Sequence, residues 1–234
     1  MINLAGRVPI IYCDFDGTVT TTDVTDVLLE KLADPLWKVI EERWVNGEID
    51  DCQCMGEQVA LIRGKWADIT CVLDSIKIDA HFKAFVDQCK KAAIPIYIGS
   101  NGIDKVISYI LKRERIELDD AWAYHLIESD QGWALQFPMS GERGVCRAPH
   151  SISCKCVLLE DTDLTGALKP YRIVIGDSQS DFCWANKADL VFAKNKLVKY
   201  CTDHKINNLP FADFSQISTE LVNSGVFQHV KILK

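Results

Sequence analysis

The sequence predicts an α/β fold, a parallel sheet with helices on both faces. Three observations carry this. Short apolar runs at 10–13, 95–99, 171–175 and 189–193 read as strands buried on both sides, because they do not alternate with polar residues. Stretches of helical periodicity lie between them, and strands alternating with helices imply crossover connections. Three of the runs end abruptly in polar turn residues: Asp14-Phe15-Asp16-Gly17-Thr18, Ser100-Asn101-Gly102, and Gly176-Asp177-Ser178-Gln179-Ser180-Asp181. In a parallel sheet these ends point to one edge, where ligands bind, so their side chains converge on one crevice.

Each element has its own local cause. Thr20-Thr21-Thr22-Asp23 opens a helix in which Val24, Val27, Leu28 and Leu32 recur at helical spacing. Asp34-Pro35 breaks it and opens another through Leu36, Val39, Ile40 and Val45, ended near Gly47. Two more helical patterns cover 48–62 and 66–73. Residues 22–75 therefore form a small helical insertion, and 1–21 with 76–234 form the core domain. A helix from Asp79 carries Phe82, Phe85, Val86 and Cys89 and ends in Lys90-Lys91, which suits a helix C-terminus. Residues 103–113 form the helix after the second strand. Residues 122–127 and 133–137, parted by Ser129-Asp130-Gln131-Gly132, read as a β-hairpin. Residues 140–153 are rich in turn formers, and Lys155 leads a short apolar segment over 156–159. Helices at 182–187 and 195–204 follow the third and fourth strands, and 211–222 supplies a packing helix.

Composition narrows the function. The chain has 234 residues, 48% hydrophobic and 25% charged, enough for a sizeable core. A net charge of −7 argues against broad contact with nucleic acid or anionic membrane. No run approaches the roughly 18 apolar residues of a membrane span. Residues 1–9 lack the basic start and apolar stretch of a signal peptide, so a cytosolic (cytoplasmic) location is expected. Ten cysteines are many for such a chain, and most lie in apolar or periodic stretches where the thiol acts as a small core residue. Cys52 with Cys54, and Cys146, Cys154 and Cys156 with His150 nearby, stand apart. Their C-x-C spacing is not the C-x₂₋₄-C of structural zinc sites, so these read first as ordinary thiols, with zinc binding as the alternative. The five histidines are scattered, and the six tryptophans read as core.

The strand ends carry the chemistry. Asp14 and Asp16 stand on the same side of an extended chain. Two carboxylates about 4 Å apart repel by about 4 kcal/mol at an effective dielectric near 20. A cation, a shared proton or a lysine must offset that. With Asp177 and Asp181 they make a hard-oxygen set suited to Mg²⁺. A carboxylate is also a nucleophile toward phosphorus, and a hydroxyl with backbone N–H groups at a helix start holds phosphate oxygens.

Asp14-Phe15-Asp16-Gly17-Thr18-Val19-Thr20 resembles the first motif of the haloacid dehalogenase (HAD) superfamily of phosphatases. Ser100 is similar to the second motif, Lys155 to the third, and the stretch from Gly176 to Asp181 to the fourth, the GD-x-x-x-D form. The phosphoserine-phosphatase-like group matches best. The resemblance implies a Rossmann-like core with a helical C1 cap at 22–75, and a phosphate-ester hydrolase working through an aspartyl-phosphate. It implies Asp14 as nucleophile, Asp16 as general acid and base, and Mg²⁺ held by Asp14, the Asp16 carbonyl and Asp177 with Asp181 in support. Ser100 and Lys155 would bind the phosphoryl group of a small phosphorylated metabolite. Asn101 stands where relatives usually have glycine, which adds a side chain beside the phosphate. Asp23 falls where related phosphatases place an acidic residue that meets the substrate, though Asp is also a favoured helix N-cap. Arg63 is either a contact for a substrate carboxylate or a solvated helix-end charge. Lys169 is a second candidate for the third-motif lysine. Two other readings stay open: a HAD-like domain retired to binding or regulation, and a phosphotransferase whose acceptor is not water.

Overall fold

The computed structural model describes residues 2–118, 121–130, 132–138, 154–161 and 169–229. Its strands are β1 (Pro9–Cys13), β2 (Ile96–Ile103), β3 (Ala121–Ser129), β4 (Gly132–Gln136), β5 (Tyr171–Gly176), β6 (Leu190–Ala193) and β7 (Asn208–Pro210). They form one sheet in the order β4-β3-β2-β1-β5-β6-β7. Every neighbouring pair is parallel except β3 with β4. The strand with the first acidic pair, β1, is thus central, between β2 and β5.

Alternation sorts the core into two layers. Ile11 and Cys13 of β1, with Ile173 and Ile175 of β5, face a core that holds Phe82, Phe85 and Phe214. Tyr12 and Val174, one residue out of phase, face a second core with Trp184, Val191 and Leu197. Each face must be covered, which is why the strands read as unbroken apolar runs. Full burial of each such large side chain contributes about 1.5–3 kcal/mol.

Between β1 and β2 the chain forms α1 (Val24–Leu32), α2 (Trp37–Val45), α3 (Asp51–Val59) and α4 (Trp66–Leu73), then α5 (Phe82–Lys91). Asp23 caps α1 by accepting from Asp26 N at 3.1 Å, and Asp50 forms a capping box with Gln53 at α3. Cys52 and Cys54 sit on α3, two residues and so about 200° apart around its axis, which splits that pair. After β2 come α6 (Asp104–Arg113), α7 (Val157–Asp161), α8 (Phe182–Ala185), α9 (Asn195–Asp203), α10 (Phe214–Asn223) and α11 (Val226–His229). No described helix is long and apolar enough to cross a membrane.

The structure departs from expectation in a few places. β2 continues through Ser100-Asn101-Gly102 to Ile103, with a register shift against β3 between Gly99 and Ile103. The expected hairpin forms, and it extends the main sheet: β3 joins beside β2, and β4 closes that edge. β7 was not expected, since three residues ending in Pro210 carry little strand signal. An edge strand tolerates proline because one side of it needs no ladder partner. Cys146 and His150 lie outside the described residues.

Candidate active site

Beyond Cys13 the chain turns sharply. Asp14 N donates to Ile175 O at 2.9 Å, which ties the first acidic residue to β5. Phe15 O then accepts from Thr18 N, Val19 N and Thr20 N at 3.3, 2.9 and 3.0 Å. Gly17 makes the turn with φ +73°, and a Cβ there would stand 2.8 Å from Asp177 Oδ2, so glycine is needed twice over. The extended alignment foreseen for Asp14 and Asp16 gives way to this turn, and each carboxylate acquires its own partners.

Lys155 is buried, 1% exposed, and its ammonium has three donors, all used. It donates to Asp14 Oδ1 at 2.5 Å, Asp181 Oδ1 at 2.9 Å and Ser180 Oγ at 3.0 Å. Thr18 Oγ1 donates to the other Asp14 oxygen at 3.1 Å. Asp181 Oδ2 accepts from Asp177 N and Ser178 N at 2.9 and 3.1 Å, so this residue braces the loop after β5. Asp177 Oδ2 accepts from Asn195 Nδ2 at 3.1 Å. Lys169, the other candidate, is exposed.

The second carboxylate is held separately. Asp16 Oδ1 accepts from Val24 N, the first residue of α1, at 3.0 Å, and Oδ2 accepts from Ser100 Oγ at 3.0 Å. Ser100 Oγ in turn accepts from Gly102 N at 2.8 Å. A Cβ on Gly102 would stand 2.6 Å from Asp16 Oδ2, so that contact requires glycine.

Burial disfavours the negative charge of Asp14, Asp16 and Asp177. Burial, and then the nearby Asp23 carboxylate, pushes Asp16 up to about 7. Burial first and Asp181 second hold Asp14 well above the usual carboxylate range. Burial also raises Asp177. Burial alone would lower the Lys155 ammonium, but Asp14 and Asp181 outweigh it and raise its pKa. The carboxylates of Asp14, Asp177 and Asp181 present oxygens within 4.8 Å of one another; the Lys155 ammonium bonds directly to two of them, and Lys194 acts on Asp177 from farther off. When ionised, the three carboxylates outnumber the single ammonium bonded to them among the described residues. Asp177 Oδ1 is buried and accepts no hydrogen bond among the described residues. An oxygen-only donor set, an orphaned carboxylate oxygen and a surplus of negative charge fit Mg²⁺.

Two bacterial proteins named 2-hydroxy-3-keto-5-methylthiopentenyl-1-phosphate phosphatase resemble the chain along nearly its whole length. The Bacillus velezensis protein is 26% identical over 228 residues, 95% of this chain and 93% of its own. The Geobacillus kaustophilus protein is 27% identical over 221 residues, 89% and 93%. Among solved structures, a phospho-aspartyl intermediate analogue of phosphoserine phosphatase superposes with a TM-score of 0.69 at 16% identity, covering 92% of this chain and 99% of that one. A substrate-bound phosphoserine phosphatase complex gives 0.67 at 15%, covering 92% and 98%. No family model matches. The chain is thus similar along nearly its whole length to proteins named as phosphatases, and its fold is that of the phosphoserine phosphatase structures.

The HAD motif positions foreseen in the sequence fall into two hydrogen-bonded groups at one sheet edge: Lys155 with Asp14 and Asp181, and Asp16 with Ser100. Asp177 lies among the first group's carboxylates. Asp23, exposed, caps α1 and also bears electrostatically on Asp16. Among the described residues the Arg63 side chain, 72% exposed, pairs with Asp34 at 3.8 Å. Asn101 Oδ1 is buried and accepts no hydrogen bond among the described residues. Sequence reasoning passed over Asn195, read only as a helix start. Its signal is conformational: it adopts φ +46°, which Asn tolerates, at the head of α9. Thr18 and Ser180 lay inside the quoted motifs without a role, and both hydroxyls prove to be partners of the charged cluster.

Proposed function

We propose that the chain is a Mg²⁺-dependent phosphatase that hydrolyses a phosphate monoester of a small cytoplasmic metabolite through a phosphoaspartate at Asp14. The observation that carries this reading is the buried Lys155 bound to Asp14 and Asp181, beside an Asp177 oxygen left without a partner. A domain retired to binding has no use for so much buried like charge.

The roles follow from the surroundings. Lys155 and Thr18 hold the Asp14 carboxylate in one orientation, so one of its oxygens attacks phosphorus in line as the ester P–O bond breaks. Asp16, raised to about 7, retains a proton near neutrality and gives it to the leaving oxygen. The carboxylate so formed is stabilised by Ser100 Oγ and Val24 N. It then takes a proton from the water that attacks phosphorus, which frees Asp14 and releases phosphate. Ser100 and Lys155 bind the non-bridging oxygens by exchange, Ser100 turning its hydroxyl from Asp16 and Lys155 giving up one of its three present acceptors. Mg²⁺, held by Asp14, the Asp16 carbonyl and Asp177 with Asp181 in support, supplies neutralisation of charge on those oxygens when bound.

Residues 22–75 act as a cap over this edge. The hydrogen bond from Val24 N to Asp16 joins the insertion directly to the acid. Asp23 faces the incoming substrate, while Arg63 is assigned to the solvated surface. The first substrate to assay is 2-hydroxy-3-keto-5-methylthiopentenyl 1-phosphate, from the relatives' name, with phosphoserine beside it.

Two outcomes test the reading. Hydrolysis of p-nitrophenyl phosphate should disappear after dialysis against EDTA and return with Mg²⁺; full activity in EDTA overturns the metal role. Asp16→Asn should lower turnover of an alkyl phosphate by about 10²–10⁴-fold. With p-nitrophenyl phosphate, whose leaving group needs no proton, the same variant should show a rapid burst and then stall for want of a base. Rapid-quench kinetics without a burst would remove Asp16 from the second step.

A further inference from the structure

Next to Lys155 lies a second cluster that phosphate chemistry does not use. Cys154 and Cys156 flank the lysine, and Cys183 comes from α8, two residues beyond Asp181. Their three sulfurs lie within 4.8 Å of one another. All three are thiols, not disulfides. Cys154 and Cys156 are buried, 5% and 1% exposed, in the core layer that holds Tyr12, Leu159 and Trp184, whereas Cys183 is half-buried and opens one side of the cluster to solvent. C-x-C spacing alone is a poor zinc signal. The fold changes that by bringing the third thiol from the far side of β5.

The dimensions fit a soft cation. Zinc–sulfur bonds of about 2.3 Å at tetrahedral angles place sulfurs about 3.8 Å apart, so this set needs a contraction of about 1 Å at most. Three thiolates fill three of four positions, and water or another donor takes the last. Softness keeps the two sites apart: thiolates select zinc-like ions, while the carboxylates of Asp14, Asp177 and Asp181 suit Mg²⁺. We propose that Cys154, Cys156 and Cys183 form a binding site for a thiophilic divalent cation of the Zn²⁺ class. An ion there ties the turn that carries Lys155 to α8, which follows directly on Asp181. It braces both ends of the Lys155–Asp181 contact without touching substrate.

Cobalt is the probe, because thiolate ligation gives it a ligand-to-metal charge-transfer absorption that carboxylates do not. Reduced, metal-stripped full-length protein is titrated with Co²⁺ in excess Mg²⁺. The expected result is one Co²⁺ per chain with that absorption, displaced by Zn²⁺. The band should be lost in Cys183→Ser, whose half-exposed position leaves the fold intact by circular dichroism, and in Cys154→Ser. It should persist at full height in Asp177→Asn and in the Cys52→Ser/Cys54→Ser double variant. Absence of the band from the unaltered chain, or its survival in Cys183→Ser, overturns the proposal. Neither result bears on the phosphatase reading.

Discussion

Asp14→Asn is expected to abolish turnover, by about 10⁴-fold or more, while leaving the protein folded and, in EDTA, more stable than the unaltered chain. The amide cannot form an acyl phosphate, yet it keeps the side chain's shape and an oxygen able to accept from Lys155. Asp14 is buried beside Asp181, and those two causes raise its pKa in spite of Lys155. A carboxyl whose folded pKa lies above its unfolded value penalises folding as pH rises through the folded pKa, and not below the unfolded one. The stability advantage of the amide should therefore grow from acid toward neutral pH. Each kcal/mol regained is worth about 2–4 °C of melting temperature in a chain of this size. Mg²⁺ reverses the comparison, because a cation that binds only the folded, carboxylate-bearing site stabilises the unaltered chain by mass action and the variant far less. Thermal melts with EDTA and with Mg²⁺ read both signs at once. Turnover within tenfold of the unaltered chain would refute the nucleophile.

How much of this was written in the sequence depends on how local the cause is. β1, β5 and β6 were legible because burial on both faces leaves unbroken apolar runs, and the acidic residues because a turn follows each strand end abruptly. The helices between β1 and β2 declared themselves through apolar periodicity and start signals such as Asp23 and Asp34-Pro35, while the Asp50 capping box emerged only in the structure. Less local features were hidden. Lys155 could be chosen only by chain order and identity; its burial depends on β5 and on the loop that carries Ser180 and Asp181. Asn195 looked like the start of a helix, and only the parallel pairing of β6 with β5 carries α9 to Asp177. The extension of β2 through Gly102 likewise depends on a close approach to Asp16, which no periodicity reports. Cys183 joins Cys154 and Cys156 for the same reason, since the sheet sets that proximity and sequence spacing does not.

Lys155→Met should be inactive as well, but with the opposite effect on stability. The thioether fills much of the lysine's volume, so the loss is chiefly of charge and of three hydrogen bonds. Asp14 and Asp181 are then left buried without a counter-ion, and removing one partner of a buried ion pair costs about 3–5 kcal/mol. At about 2–4 °C per kcal/mol this lowers the melting temperature by roughly 6–20 °C. The deficit should be largest near neutral pH and shrink in acid, because protonation removes the uncompensated charge. A double-mutant cycle separates the lysine's two duties. If its structural work is to neutralise Asp14, Asp14→Asn/Lys155→Met should recover a substantial part of the lost stability and none of the activity. Additive losses in the cycle would show that Lys155 holds the fold through Asp181 and Ser180 instead, and that its bond to Asp14 serves only the attack on phosphorus.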